Sequence, residues 1–258
     1  MTLPGVPVQK GVLHPIMEVL WDVVKIFQQM GFAWVEGPEI ENTFYNFDAL
    51  NVTEGHPARG EQDTFYLPHG VLRTQTSPVQ IRTMKETTPP LKIVSPGRVY
   101  RSDYDQTHSP MFHQIEGLVV SKEANMADLK GVLQGFLEIF FSKSVHLRFR
   151  PSFFPFTEPS CEVDIGYRRE AGNIILEGHS HWLEILGCGM VHHRVLRQCG
   201  ISPEIYQGYA FGVGLERLAM LRYGVQDLRE FYKNHQTWLS NLSLKRTLDT
   251  LSYASPKK

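Results

Sequence analysis

Leu91-Lys-Ile-Val-Ser-Pro-Gly-Arg-Val-Tyr100 and Met111-Phe-His-Gln-Ile-Glu-Gly-Leu-Val-Val120 bracket a polar run over residues 102–110. Residues 91–100 and 112–120 read as strands, and a connection this short returns the second beside the first. Side chains alternate along a strand, so Phe112, Gln114 and Glu116 share one face. Two polar groups beside an aromatic on an inward face need a ligand or a partner. On a solvated sheet surface they need neither. Arg101 favours the first reading, because it closes the preceding strand and enters the loop that holds His108. An arginine there offers a bidentate fork to a phosphate. Alone it would read as a surface ion pair. His108 reads equally as a phosphate contact or as a solvated loop histidine.

The rest of the chain fits around this hairpin. Residues 14–31 read as a helix, with Ile16, Val19, Leu20, Val23, Phe27 and Met30 at helical spacing and Gly31 as the stop. Residues 32–35 form a strand ended by Gly37-Pro38. Residues 46–63 are turn-rich and read as a loop, and a strand follows near 64–67. Ser77 is placed to cap a helix over residues 78–85. A second long helix spans 127–141, burying Leu129, Val132, Leu133, Phe136 and Phe140. Further strands fall near 145–150, 161–165, 183–186 and 209–213. Strands outnumber helices without the regular alternation of a parallel sheet, so the fold class is α+β, an antiparallel sheet flanked by helices.

A second stretch, Ala210-Phe-Gly-Val-Gly-Leu-Glu-Arg217, strengthens the chemical reading. Gly212 and Gly214 leave one strand face bare for a ring or a backbone. Arg217 follows at the start of a helix whose Leu215, Leu218 and Ala219 face the core. A lone Gly-x-Gly says little, but its pairing with the earlier arginine is far more specific. Two separated arginines can hold a polyphosphate at two points, while Gln114 and Glu116 receive an ammonium group. The combination suits a site that joins ATP to an amino acid. Attack of a carboxylate on the α-phosphate needs charge neutralisation more than acid–base chemistry.

Bulk properties narrow the setting. The chain has 258 residues, enough for one large core or two small ones. Its net charge of −1 leaves no chain-wide basic excess for gripping a nucleic acid, so RNA contacts must come from a local patch or another chain. Cys161, Cys188 and Cys199 form no Cys-x-x-Cys pair and leave an odd count, which points to reduced thiols. The first ten residues lack a signal-peptide pattern, and no stretch approaches the ~18 apolar residues of a membrane span. A cytoplasmic protein with no membrane partner is expected.

Together the two stretches resemble motifs 2 and 3 of the class II aminoacyl-tRNA synthetases, and the helix and strand over residues 14–38 resemble motif 1, which builds dimers in that class. The likeness is closer still to the α subunits of bacterial phenylalanyl-tRNA synthetase. It runs over roughly residues 3–235 through Leu72-Arg-Thr-Gln-Thr-Ser-Pro78, Gly97-Arg-Val-Tyr-Arg-Ser-Asp-Tyr-Asp105, Met111-Phe-His-Gln-Ile-Glu-Gly117, Phe153-Phe-Pro-Phe-Thr-Glu-Pro159 and Tyr209-Ala-Phe-Gly-Val-Gly-Leu-Glu-Arg-Leu218. The resemblance implies activation of phenylalanine with ATP and Mg²⁺, then transfer to phenylalanine tRNA, in an assembly of two α and two β subunits. It assigns Arg101, His108 and Arg217 to ATP, the two arginines being catalytic. Gln114 and Glu116 would take the amino group, with Ser77 and Gln80 helping. Phe154 and Phe156 would meet the substrate ring edge-on. Ala210 would close the far end of the pocket, and Glu158 would ligate a magnesium shared with the β subunit. Without the family, residues 153–156 read equally as core.

Three departures stand out. The family's N-terminal coiled-coil arm has no counterpart, and residues 1–13 read as an extension to a catalytic domain over 14–236. Residues 166–181 make a longer hairpin carrying Arg168, Arg169, His179 and His181, a conceivable metal site but more simply a solvated hairpin. Residues 237–258 form a tail. The missing arm and near-zero charge also suit a paralogue that makes an aminoacyl adenylate for an acceptor other than tRNA. A non-catalytic amino-acid-binding regulator is a third reading, disfavoured because it has no use for both arginines.

Overall fold

The computed structural model describes residue 5 and residues 11–60, 62–105, 108–170, 173–176, 178 and 180–242. Most of the expected N-terminal extension, the tail beyond residue 242 and His179 lie outside the described residues. In chain order the elements are α1 (Pro15–Gln29), β1 (Ala33–Trp34), β2 (Ile40–Glu41), α2 (Thr43–Asn46), β3 (Tyr66–Leu67), β4 (Gly70–Leu72), α3 (Ser77–Glu86), β5 (Leu91–Tyr100) and β6 (Met111–Ser121). There follow α4 (Met126–Phe141), β7 (Leu147–Phe154), β8 (Thr157–Glu170), β9 (Asn173–Ile175), β10 (His181–Val191), α5 (His193–Gln198), β11 (Gln207–Gly214) and α6 (Leu215–Tyr223).

The main sheet runs β1-β5-β6-β11-β10-β8-β7, with β9 pairing β8. Every pairing is antiparallel except β1 with β5, which is parallel. This matches the expected antiparallel sheet, with one parallel edge. A small antiparallel sheet, β2-β4-β3, lies apart.

One face of the main sheet is sealed by α1, α4 and α6. Helix α1 starts at Pro15 behind His14, whose Nδ1 accepts the Ile16 N–H at 3.2 Å; Pro at the first position loses no helical bond. Asn125 caps α4 by accepting from Ala127 N and Asp128 N at 2.8 and 3.0 Å. Phe27 of α1 stacks against Phe136 of α4 and Phe211 of β11, with centroids 4.6 and 5.1 Å away. Gly117 makes room for the last ring, since a Cβ there would lie 2.1 Å from Phe211 Cζ. Burial of three aromatics at one point anchors the centre of the sheet from behind. A second apolar cluster, which includes Phe47, Leu50, Ile81, Leu118 and Val191, lies on the opposite face.

Two readings of the sequence need correction. Ser77 does not cap α3: the cap position is Thr76, without a side-chain cap bond, and Ser77 sits in the first turn with its hydroxyl turned elsewhere. The hairpin near residue 170 is also a longer extension of the sheet than expected, because β8 runs to Glu170 and β10 begins at His181. Arg168 pairs with Glu170 at 2.7 Å, and His181 stacks on Tyr167 at 5.3 Å. Among the described residues no group of three or more His, Cys, Asp or Glu is arranged for a metal.

Candidate active site

Strand register places the chemistry in rows across the open face of the sheet. Leu118, Ala210, Gly189 and Ser160 are successive partners in one row. Ser95, Glu116, Gly212, Gly187 and Glu162 form the next. Gly97, Gln114 and Gly214 form a third. Same-face rows are two residues apart, about 6.8 Å along a strand. The path from Ala210 to Gly214 is therefore about 14 Å long, apolar at one end and polar beyond.

A cavity of about 640 Å³ lies over these rows. Ten of the eleven expected site residues line it: Arg101, His108, Arg217, Ser77, Gln80, Gln114, Glu116, Phe154, Phe156 and Ala210. Glu158 does not. Its carboxylate is largely exposed and lies 3.3 Å from His192 Nε2.

Glu116 is the centre of the polar half. It is 5% exposed and accepts from Ser77 Oγ at 2.5 Å, Gln80 Nε2 at 2.9 Å and Thr76 N at 3.2 Å. That convergence explains why Ser77 gives up capping. Burial holds the Glu116 carboxyl above the ordinary carboxylate range, against the opposing pull of Ser77, the Thr76 N–H and Arg101. Gln114 presents a buried carbonyl oxygen, Oε1, with no hydrogen-bond partner among the described residues. A buried acceptor left over beside a buried carboxylate is what an incoming ammonium satisfies.

The glycines have divided roles. A Cβ at Gly212 would lie 3.0 Å from both Gln114 Nε2 and Glu116 Cγ, so this glycine makes room for the protein's own polar pair. Gly214 has nothing within 4 Å of its Cβ direction and leaves the face open beside α6. Gly187 carries the Phe154 ring, whose Cζ would be 2.9 Å from an added Cβ. Phe154 and Phe156 are 5.9 Å apart and nearly parallel at 9°, forming one wall.

At the other end, Arg101 donates Nε to Thr74 O at 2.9 Å and lies 5.3 Å over the Phe112 ring. Arg217, in the first turn of α6, donates to Glu184 O at 2.8 Å, beside a bulge in β10. His108 is held to Asp105 through its N–H at 2.9 Å and Nδ1 at 2.8 Å, and its half-exposed ring lines the cavity. Glu162 and Glu184 also line the cavity, 2.9 and 3.7 Å from Arg150 Nη2. They are oxygen donors of the type magnesium takes. The sequence pointed to neither of them, nor to Gln75, which also lines the cavity, because none stands in a pattern of its own.

The fold has solved counterparts. Two structures of pyrrolysyl-tRNA synthetase from Desulfitobacterium hafniense superpose with TM-scores of 0.62 and 0.63 at 22% and 20% identity. They cover 84% and 85% of this chain, and 72% and 74% of their own. At that identity the likeness concerns fold alone. The family model for the tRNA synthetases class II core domain (F) matches residues 1–242. A mostly antiparallel sheet with one arginine just past β5 and another just past β11, the two strands that flank β6, is thus a class II aminoacyl-tRNA synthetase core. The Shewanella woodyi phenylalanine–tRNA ligase alpha subunit is 56% identical over 240 residues, covering 93% of this chain and 70% of the relative. That of Rhodospirillum centenum is 53% identical over 248 residues, covering 93% and 69%. This chain belongs to the phenylalanine–tRNA ligase α subunits.

Proposed function

We propose that this chain activates L-phenylalanine with ATP and passes the acyl group to tRNA, using the cavity residues in a fixed order along the rows. The ring lies against Phe154 and Phe156 and ends at Ala210. The ammonium meets Glu116 and the Gln114 carbonyl. That places the carboxylate over the glycine row, facing the α-phosphate. A carboxylate oxygen attacks the α-phosphorus, and pyrophosphate leaves. Arg101 and Arg217 hold the phosphates from two sides and neutralise the charge that grows on them. His108 adds a donor at the mouth. The terminal hydroxyl of tRNA then attacks the carbonyl carbon, and AMP leaves.

Magnesium would add charge neutralisation on the phosphates. Within the cavity Glu162 and Glu184 are the groups to hold it. Glu158, with a single histidine near it, fits only as one ligand of a shell completed by another chain. We read that chain as a β subunit, and the assembly as two α and two β subunits. With a net charge of −1, most contacts to the tRNA backbone would then come from the partner. No helix among the described residues is long and apolar enough to cross a membrane, and we place the protein in the cytoplasm.

The observation that carries this reading is the buried Glu116 beside the unpartnered Gln114 carbonyl, about two strand rows from Arg217. Phenylalanine-dependent ATP–pyrophosphate exchange tests activation, and charging of phenylalanine tRNA tests transfer. Exchange without charging would favour an adenylate maker for another acceptor. Phenylalanine binding without exchange would favour a regulator.

A further inference from the structure

One buried acid in the lining of the cavity has both its oxygens taken up by donors of the chain itself. Glu216 precedes Arg217 in α6 and is 1% exposed. It accepts the His113 N–H at 2.9 Å on Oε1 and 3.0 Å on Oε2, His113 Nδ1 at 2.8 Å and the Tyr232 hydroxyl at 2.6 Å. The contacts come from two separate parts of the site. His113 lies in β6 between Phe112 and Gln114. Tyr232 ends a short 3-10 segment, Leu228–Tyr232.

That segment is itself fastened at several points. Leu228 lines the cavity. The Arg229 guanidinium lies 5.8 Å over Tyr104, in the loop that follows Arg101. Phe231 O accepts from His14 Nε2 at 2.8 Å, at the head of α1. One carboxylate therefore ties β6 to the helix of Arg217 and to the segment that braces the Arg101 loop. The ammonium end of the cavity is held separately, because Glu116 is fixed by Thr76, Ser77 and Gln80 around the start of α3.

We infer that Glu216 and Tyr232 form a positioning joint for the nucleotide half of the site, setting Arg217 and the Arg101 loop without touching substrate. The inference rests on the reading of this cavity as an ATP and phenylalanine site. A buried carboxylate that loses one of its donors shifts to satisfy itself, and the helix that carries it shifts too. Arg217 is the next residue. A displacement of about 1 Å at a group that holds phosphates is enough to cost on the order of a hundredfold in rate.

The experiment uses the intact assembly with Tyr232→Phe, which removes one hydroxyl and keeps the ring, and with Glu216→Gln, which keeps one acceptor oxygen. Binding of a non-hydrolysable ATP analogue and of phenylalanine is measured separately at equilibrium, followed by ATP–pyrophosphate exchange. Tyr232→Phe should weaken nucleotide binding roughly tenfold and lower kcat/KM for ATP by roughly ten- to a hundredfold. Phenylalanine binding should stay at the wild-type level. Glu216→Gln should lie between wild type and Glu216→Ala. Unchanged nucleotide binding in Tyr232→Phe would overturn the joint. So would an equal loss of both ligands with a lowered melting temperature, the mark of general loosening. Should Glu216→Gln fail to fold, Tyr232→Phe decides alone. A wild type that binds nucleotide but not phenylalanine would count against the proposed substrate, while the effect of Tyr232→Phe on nucleotide binding would still test the joint.

Discussion

Replacing Glu116 by Gln changes one oxygen to an NH₂ group and tests the amino-group site at constant shape. Without substrate the effect on folding should be small. Loss of a buried charge relieves its desolvation, but the new NH₂ faces the donors of Ser77 and Gln80. The Ser77 hydroxyl can rotate to accept, and the Gln80 amide can turn its oxygen. The net change should stay within about 1 kcal/mol. With phenylalanine bound the effect should be large, because the ammonium loses a charge-assisted hydrogen bond of about 1.5–3 kcal/mol. That is roughly ten- to a hundredfold in the KM for phenylalanine. The KM for ATP should not move. The assay is pyrophosphate exchange with each substrate varied in turn, with thermal unfolding as the control. An unchanged KM for phenylalanine, or an equal rise for ATP, would refute the assignment. The same carboxyl predicts a pH dependence. Burial raises its pKa in the folded state. The unliganded protein therefore loses part of its stability as pH climbs from the unfolded-state value through the raised one. Only the ionised form receives an ammonium, so phenylalanine affinity should fall as pH drops through that raised value, earlier than for a solvated carboxylate. Glu116→Gln should remove this dependence.

Arg101→Ala and Arg217→Ala should each lower exchange by orders of magnitude with folding intact, and Arg101→Lys should restore only part, since a point charge cannot reproduce the guanidinium fork; near-normal exchange in either alanine variant would remove that residue from the phosphate site. Ala210→Gly should admit para-chlorophenylalanine, because it withdraws a methyl group from the end of the pocket; equal activation of that analogue by wild type and variant would show that Ala210 does not limit the ring. Gly117→Ala should destabilise by about 1–3 kcal/mol, since the methyl would meet the Phe211 ring that α1 and α4 hold in place; a melting temperature within experimental error of wild type would show that the stack yields.

The hairpin of residues 91–120 was legible because two apolar-rich runs flank a short polar loop, and the two-residue period of a strand put Gln114 and Glu116 on one face. The two arginine-bearing stretches were legible because each follows a strand end with a charged residue. Other features had no local signal. The pairing of β1 is two residues long, and nothing in Ala33-Trp34 distinguishes parallel from antiparallel. Helix α5 is too short to show a period. In residues 166–170 polar side chains hide the continuation of β8, which becomes visible only once β10 and β9 pair with it. Ser77 looked like a cap because the residue type and the following Pro78 suit one, whereas its hydroxyl is claimed by Glu116, 39 residues away. Glu216 stood in a recognisable motif, yet its partner His113 lies 103 residues away. Contacts of that span belong to the fold and not to any window of sequence.

The rows of glycine beneath the cavity have a mechanical consequence. Gly187, Gly189, Gly212 and Gly214 deprive the centre of the sheet of the cross-strand side-chain pairs that ordinarily stiffen it. On the cavity side, strands β10 and β11 are thus compliant, and their resistance to bending comes from the Phe27, Phe136 and Phe211 stack behind them. Trimming that stack, for example with Phe136→Leu, should speed amide exchange in β11 without altering one atom of the cavity wall. Adenylate laid across the glycines would brace the sheet from the front and slow that exchange again.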